Sequence, residues 1–319
     1  MAAAPSSSPL RLAFFGTPDF AVPTLERLIE GRHEIVRVVC QPDRRRGRGR
    51  KASPAPIAEV ALNAGVPLLR PENAGDDEAL AEFRACEPDL GVVVAFGQFL
   101  PKAIREAPAL GYLINGHASL LPRYRGAAPI PHCILDGETV TGVSVMRVEK
   151  EMDSGPVALQ REIEIGEHEN AGELSARLSA LTAELLEEVI EQIADKRVEW
   201  TSQDGTRATY APKIERSDAQ LFWTESANAL CRRVRAMAPS PGAFTTFEGE
   251  SLQILDARAD ETRADLPPGT VRVDSARELR IATGDGWLLP RILQRPGKRA
   301  MDIGAFARGK PILDGTQLG

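Results

Sequence analysis

Short, uninterrupted apolar runs separated by helical segments set the narrowest limit on the fold. Leu90–Ala95 reads LGVVVA, a continuous apolar run of the kind that fits a strand buried on both faces. Ile35–Cys40 is a β-branched run, and Arg11–Phe15, Val66–Leu69 and Tyr112–Asn115 are shorter ones. Between them lie helical patterns over Phe20–Glu30, Ile57–Asn63, Asp76–Ala85 and Pro101–Glu106; Gly31 and Gly65 act as stops for the first two. Strands that alternate with helices predict an α/β fold with a parallel, Rossmann-like sheet covered on both faces. Two longer strands follow, Thr139–Val148 and Val157–Ile165. Asn170 can then cap a helix from Ala171 to about Lys196, with Leu174, Leu178, Leu181, Leu185 and Val189 on one stripe.

The pattern changes near Tyr210. One more helix is expected over Ser226–Met237, then short strands at Leu252–Leu255, Gly269–Val273, Leu279–Thr283 and Trp287–Leu293. Asp285-Gly286 signals a hairpin turn. Strands at this spacing suit a small β-barrel or sandwich. The expected organisation is a catalytic domain over 1–198, a linker over 199–211 and a smaller β domain over 212–319, within the ordinary range of domain sizes.

The net charge of −6 argues weakly against a nucleic-acid partner, but its distribution says more. Residues 1–205 hold 22 Lys and Arg against 31 Asp and Glu; residues 206–319 hold 17 against 14. A polyanion would therefore have to meet a local basic patch. Gln41–Lys51 supplies one, since six of the eight residues from Arg44 to Lys51 are basic. Its glycines give flexibility and its arginines suit phosphate; a solvated loop is the ordinary alternative.

Cys40, Cys86, Cys133 and Cys231 lie far apart with no CxxC spacing, as expected of buried thiols in a reducing compartment. Four histidines without a ligand cluster predict no metal. No apolar run nears the ~20 residues of a membrane helix. Met1–Pro9 has neither secretory nor transit order, so it reads as a frayed tail on a cytoplasmic protein.

The densest site signal is the block Asn115–Pro129, NGHASLLPRYRGAAP, which begins at the C-terminal end of an expected parallel strand. Ligands of open α/β sheets bind at that edge. Two residues apart in extended backbone, Asn115 and His117 share a face. An amide that donates and an imidazole that shuttles a proton suit a reaction with a developing oxyanion. Taken alone, the pair is more ordinarily a capping amide and a loop histidine. Glu149–Pro156, EKEMDSGP, follows the strand Thr139–Val148, so Asp153 is expected at the same edge, orienting His117; alone, Asp-Ser-Gly is a common turn. FGTPDFA at Phe15–Ala21 is no dinucleotide fingerprint, because only Gly16 occupies the turn. It is either a tight turn admitting substrate or a plain strand-to-helix turn capped by Asp19.

In order and spacing, FFGTPDFAVP, QPDRRRGRGRK, VVVAFGQFLPK, the Asn115–Pro129 block, TGVSVM with MDSGP, and TGDGWL with PGKRAM resemble the methionyl-tRNA formyltransferase family, from Phe14 to Met301. The resemblance implies a Rossmann-like formyltransferase domain followed by an OB-like β-barrel. It also implies 10-formyltetrahydrofolate as donor and methionyl-initiator-tRNA as acceptor. The family's catalytic residues fall on Asn115, His117 and Asp153. Its folate contacts fall on Ser119, Leu120, Leu121 and Pro122, and on the backbone around Val94, Phe96 and Gly97. Its tRNA-contacting loop falls on Arg44, Arg45, Arg46, Arg48, Arg50 and Lys51. A monomer is expected.

Four positions depart from the family pattern. Gly116 stands where an aliphatic residue is usual, which predicts a looser strand end. Tyr124 stands for a frequent Trp, Glu149-Lys150-Glu151 for D-x-G, and Pro239-Ser240-Pro241 for Pro-Trp-Pro. The nearest rival reading is a folate-dependent formyltransferase acting on a sugar-nucleotide or other small amine. A second is a non-enzymatic nucleotide-binding protein with Asp43 as a ribose ligand, against which the missing glycines argue.

Overall fold

The computed structural model describes residues 8–46, 51–275 and 278–319. The expected tail over Met1–Pro9 lies outside the described residues for its first seven positions. The chain forms two compact units. The first comprises Met1–Pro129, Val140–Ile163 and Ser175–Ala211; the second comprises Ile130–Thr139, Glu164–Leu174 and Pro212–Gly319.

The elements in chain order are β1 (Arg11–Gly16), α1 (Val22–Glu30), β2 (Glu34–Val39), β3 (Arg44–Arg46), β4 (Lys51–Ser53), α2 (Pro56–Asn63), β5 (Leu68–Leu69) and α3 (Asp77–Ala85). Then come β6 (Leu90–Val94), α4 (Lys102–Arg105), β7 (Leu113–His117), α5 (Pro129–Leu135), β8 (Val140–Arg147), β9 (Val157–Glu164) and α6 (Ala171–Ala194). Seven strands form one sheet in the order β5-β2-β1-β6-β7-β8-β9. The first five run parallel, as the strand–helix alternation predicts; β8 is antiparallel to β7. Every residue of β6 is buried, which is why its run carries no polar alternation.

The core on one side of this sheet is built on Phe15. Its ring meets Phe83 edge-on at 5.2 Å and Phe96 at 5.5 Å. Fully burying each such ring is worth roughly 1.5–3 kcal/mol. Asn170 Oδ1 accepts from Gly172 N–H (2.9 Å) and Glu173 N–H (3.1 Å), and Glu173 accepts from Asn170 N–H at 3.0 Å. This capping box starts α6 where the sequence places it.

In the second unit, α7 (Ala227–Met237) is capped by Ser226, whose side chain accepts from Ala229 N–H. It is followed by β10 (Ala243–Phe247), β11 (Glu250–Asp260), β12 (Val271–Ser275), β13 (Glu278–Ala282), β14 (Trp287–Gln294), β15 (Met301–Asp302) and α8 (Ile303–Gly309). The strands form an antiparallel sheet in the order β10-β11-β14-β13-β12, with β15 paired to β14. Asp285-Gly286 does turn the hairpin, with Gly286 at φ 86°.

Several elements escape the sequence reading. α5 begins PIPHC, and its two prolines sit in the first turn, where a missing N–H costs nothing. The glycine-rich α8 forms because Asp302 caps it, accepting from Ala305 N–H at 2.7 Å. The basic segment is not wholly a loop: β3 and β4 pair as a short antiparallel hairpin. All four cysteines are free thiols; burial pushes those of Cys40 and Cys231 up to about 11. Among the described residues no helix is long and apolar enough to cross a membrane.

Candidate active site

The parallel strands β1, β2, β6 and β7 end along one edge of the sheet, at Gly16, Val39, Val94 and His117. β7 extends two residues beyond the expected Asn115, so Asn115 and His117 both lie within the strand, opposite Met146 and Ser144 of β8. Alternation puts their side chains on one face. His117 is 6% exposed. Its Nε2 lies 2.9 Å from the carbonyl oxygen of Tyr124. A carbonyl only accepts, so Nε2 carries the proton and Nδ1 is the nitrogen free to exchange one. Nδ1 is 3.6 Å from Asp153 Oδ2, so a positive charge on the ring would be compensated there. No described group pairs with the Asn115 amide.

Asp153 arrives by a different route from the one expected. Because β8 runs antiparallel to β7, Arg147 at its end stands beside Ile114, not His117. The segment from Glu149 to Pro156 therefore leaves from the far end of β7 and doubles back to the histidine. Its turn is tight: Asp153 has φ 50°, and a Cβ on Gly155 would stand 2.0 Å from the Arg147 carbonyl oxygen. Asp153 Oδ2 also accepts from Gly126 N–H at 2.8 Å.

The loop after His117 is held by polar groups that motif reading missed. Ser144 Oγ donates to Ser119 O at 2.6 Å and accepts from Leu121 N–H at 3.0 Å. Gln160 Nε2 donates both to Ser144 Oγ and to Leu121 O. Ser119 Oγ is spent on Arg123 O at 2.6 Å. The signal for Ser144 was a hydroxyl set between two valines in TGVSVM, where it is fully buried. Of the residues placed at a folate site, Ser119, Leu121, Val94 and Phe96 are buried, Leu120 and Pro122 are half-buried, and Gly97 is exposed with φ 80°. Phe96 points its ring into the core, and its carbonyl accepts from Thr17 Oγ1 and Gln41 Nε2, both at 2.9 Å.

The FGTPD turn proves to be a tight one. A Cβ on Gly16 would meet Phe14 Cε1 at 2.7 Å and Ala21 Cβ at 2.9 Å, while Asp19 makes no capping hydrogen bond. Gly116 does not leave a gap. Thr182 and Leu186 of α6 fill the space, and a Cβ there would stand 2.5 Å from Thr182 Cγ2. A cleft of about 530 Å³ lies among Glu72, Asn73, Gly75, Gln98, Phe99 and Pro101, none of which is a catalytic candidate. Arg48 and Arg50 lie outside the described residues, as do the side chains of Arg44, Arg45, Arg46 and Lys51.

An amide donor, a histidine and a carboxylate at the open edge of a Rossmann-like sheet, with a second antiparallel β unit, define a class that the comparisons match. The family model "Formyl transferase" covers residues 10–190, and "Formyl transferase, C-terminal domain" covers 213–311. Methionyl-tRNA formyltransferase from Ruegeria pomeroyi is 43% identical over 309 residues, covering 97% of this chain and 100% of that one. The same enzyme from Xanthomonas axonopodis pv. citri is 45% identical over 305 residues, covering 95% and 99%. The chain belongs to the methionyl-tRNA formyltransferase family. Among solved structures, an N-formyltransferase from Helicobacter canadensis with folinic acid and dTDP-3-aminofucose shares the fold at TM-score 0.66 and 16% identity, covering 88% of this chain and 98% of that one. HypX from Aquifex aeolicus with tetrahydrofolic acid does so at TM-score 0.63 and 18% identity, covering 94% of this chain and 47% of that one.

Proposed function

We propose that the chain transfers the formyl group of 10-formyltetrahydrofolate to the free amino group of methionyl-initiator-tRNA. The convergence of His117 Nδ1 on Asp153 Oδ2, on the face that Asn115 shares, carries this reading. The full-length similarity to methionyl-tRNA formyltransferases supports the acceptor. In this reading residues 1–198 carry the chemistry, 199–211 join, and 212–319 hold tRNA. Ser119–Pro122 and the backbone around Val94, Phe96 and Gly97 face the folate, and the basic segment Arg44–Lys51 meets the acceptor end.

The unprotonated methionine amine attacks the formyl carbon on N10 of the folate, and a C–N bond forms as the carbonyl becomes an oxyanion. Asn115 donates to that oxygen. His117 Nδ1 takes the proton lost by the amine, beside Asp153, and returns it to N10 as the old C–N bond breaks. Orientation and oxyanion stabilisation supply the rate, with no covalent enzyme intermediate.

The test is incubation with methionyl-tRNA and 10-formyltetrahydrofolate, with dTDP-3-aminofucose as a competing acceptor, followed by mass analysis of both. A gain of one formyl group on the released methionine is expected. Formylation of the amino sugar alone would move the chain to the small-amine class, and formylation of neither would end the reading.

A further inference from the structure

Residues 199–211 do more than connect. Thr201 and Val157 exchange two backbone hydrogen bonds, at 2.8 and 2.9 Å. Further on, Arg125 N–H donates to Thr209 O at 2.9 Å, Ala211 N–H donates to Arg125 O at 2.7 Å, and Tyr124 N–H donates to Thr209 Oγ1 at 2.8 Å. The segment is a strap laid along both loops that meet at His117.

Gln203, between these anchor points, divides its amide between the two loops. Its Oε1 accepts from Arg125 Nε at 3.1 Å and Nη2 at 2.7 Å. Its Nε2 donates to Asp153 O at 2.9 Å and Gly155 O at 2.7 Å. Arg125 is itself 7% exposed. Asp153 sits at φ 50°, a region that residues with a Cβ rarely adopt unless their surroundings impose it. Its carboxylate is held on the other side by the N–H of Gly126, the residue after Arg125. A closed ring results: Asp153 backbone, Gln203, Arg125, Gly126, and back to the Asp153 carboxylate, which stands 3.6 Å from His117 Nδ1.

From this ring we propose that Gln203 is a positioning residue, fixing the Asp153 turn and the Gly126 amide so that the carboxylate faces His117. It touches no reacting atom and acts through Asp153. The inference rests on the acyl-transfer reading above. A glutamine satisfied at both ends is also what ordinary packing would use, so the test must separate position from fold.

The experiment measures kcat and both KM values for the full chain with methionyl-tRNA and 10-formyltetrahydrofolate, for Gln203→Leu, Asp153→Asn and the double variant. Asn tolerates the left-handed turn, so Asp153→Asn removes charge while keeping the backbone. Gln203→Leu should lower kcat roughly 10- to 100-fold, with each KM changed less than about twofold. In the Asp153→Asn background the same change should cost less than about twofold, because residues acting as one unit are not additive. An unchanged kcat for Gln203→Leu, or an equal loss in both backgrounds, would overturn the proposal. Should Gln203→Leu fail to fold, Gln203→Glu keeps the acceptor toward Arg125, loses the donors, and answers the same questions. Hydrogen exchange at the Gly126 amide gives a readout independent of turnover: it should quicken in the variant while exchange in β6 stays unchanged, and unaltered Gly126 exchange would count against the ring. If the wild-type chain formylates nothing, the functional reading fails, and the exchange measurement still decides this one.

Discussion

At the scale of single residues, the two nitrogens of His117 stand in different surroundings. Tyr124 O fixes the proton on Nε2, and Nδ1 faces Asp153 Oδ2. Asn115→Ala should lower kcat about 100- to 1,000-fold, the loss typical of one oxyanion donor, with thermal stability unchanged. His117→Ala with near-normal turnover would end the proposed mechanism. Gly116 gives a stability prediction. Gly116→Ala pushes a methyl against Thr182 Cγ2 and Leu186 Cδ1 and should cost about 1–3 kcal/mol in urea denaturation. Thr182→Ser in the same chain deletes Cγ2, keeps the hydroxyl that donates to Leu178 O, and should recover part of the loss. Sequence reading singled out Asn115, His117 and Asp153 because each is a reactive type inside a turn-rich motif. It could not reach Gln203 or Gln160, whose partners lie far along the chain and include carbonyl oxygens of the Leu121 and Asp153 loops, which carry no residue signature. It misjudged Gly116 because only packing against α6 says what fills the missing side chain.

At the scale of elements, α6 is fastened to α1 and to the turn that leads into β2 by a charged cluster. Arg32 pairs with Glu191 at 2.6 Å, and Arg27 pairs with Glu187 at 2.6 Å. His33 accepts from Leu10 N–H at Nδ1 and donates to Glu191 from Nε2 at 3.1 Å. Burial lowers the His33 pKa below its ordinary 6.5, outweighing the pull of Glu191. The hydrogen bond from Arg32 lowers that of Glu191 below its ordinary 4.5. Both groups therefore bind protons more readily unfolded than folded. Their stabilisation is complete above the unfolded values and is lost as pH falls through the folded ones. The urea midpoint should decline below about pH 6.5 and again below about pH 4.5; His33→Gln should flatten the first decline only. A wild-type midpoint flat between pH 7 and 5 would rule out the histidine's part. The strong elements were legible because their periodicity is long or their burial complete, as in β6 and α6. α5, α8 and the β3–β4 hairpin were not, because prolines, glycines and arginines mark turns and loops until a cap or a pairing partner is seen.

At the scale of the whole molecule, the acidic first part and the mildly basic remainder make polyanion binding a local matter. In the second unit, Arg295 is paired with Glu250 at 2.8 Å and Lys310 with Glu248 at 2.5 Å. Lys298, Arg299 and Arg308 are exposed and have no acidic partner among the described residues. Replacing these three with Gln should weaken tRNA binding and flatten its salt dependence by about one for each phosphate no longer neutralised. Replacing Arg295 should do less, since its charge is already answered. An unchanged slope in a binding titration from low to high salt would remove the three from the interface.

The division of the chain into units also limits how the molecule can be taken apart. Ile130–Thr139 and Glu164–Leu174 are counted with residues that follow Pro212, although they are synthesised far ahead of them. A single cut between Ala211 and Pro212 would keep every segment of the first unit in one fragment but divide the second unit between the two. Residues 212–319 made alone should melt with less cooperativity than the same residues in the intact chain, and a co-produced 1–211 should restore it. The second unit could therefore be inherited, exchanged or shortened only together with chain that precedes it.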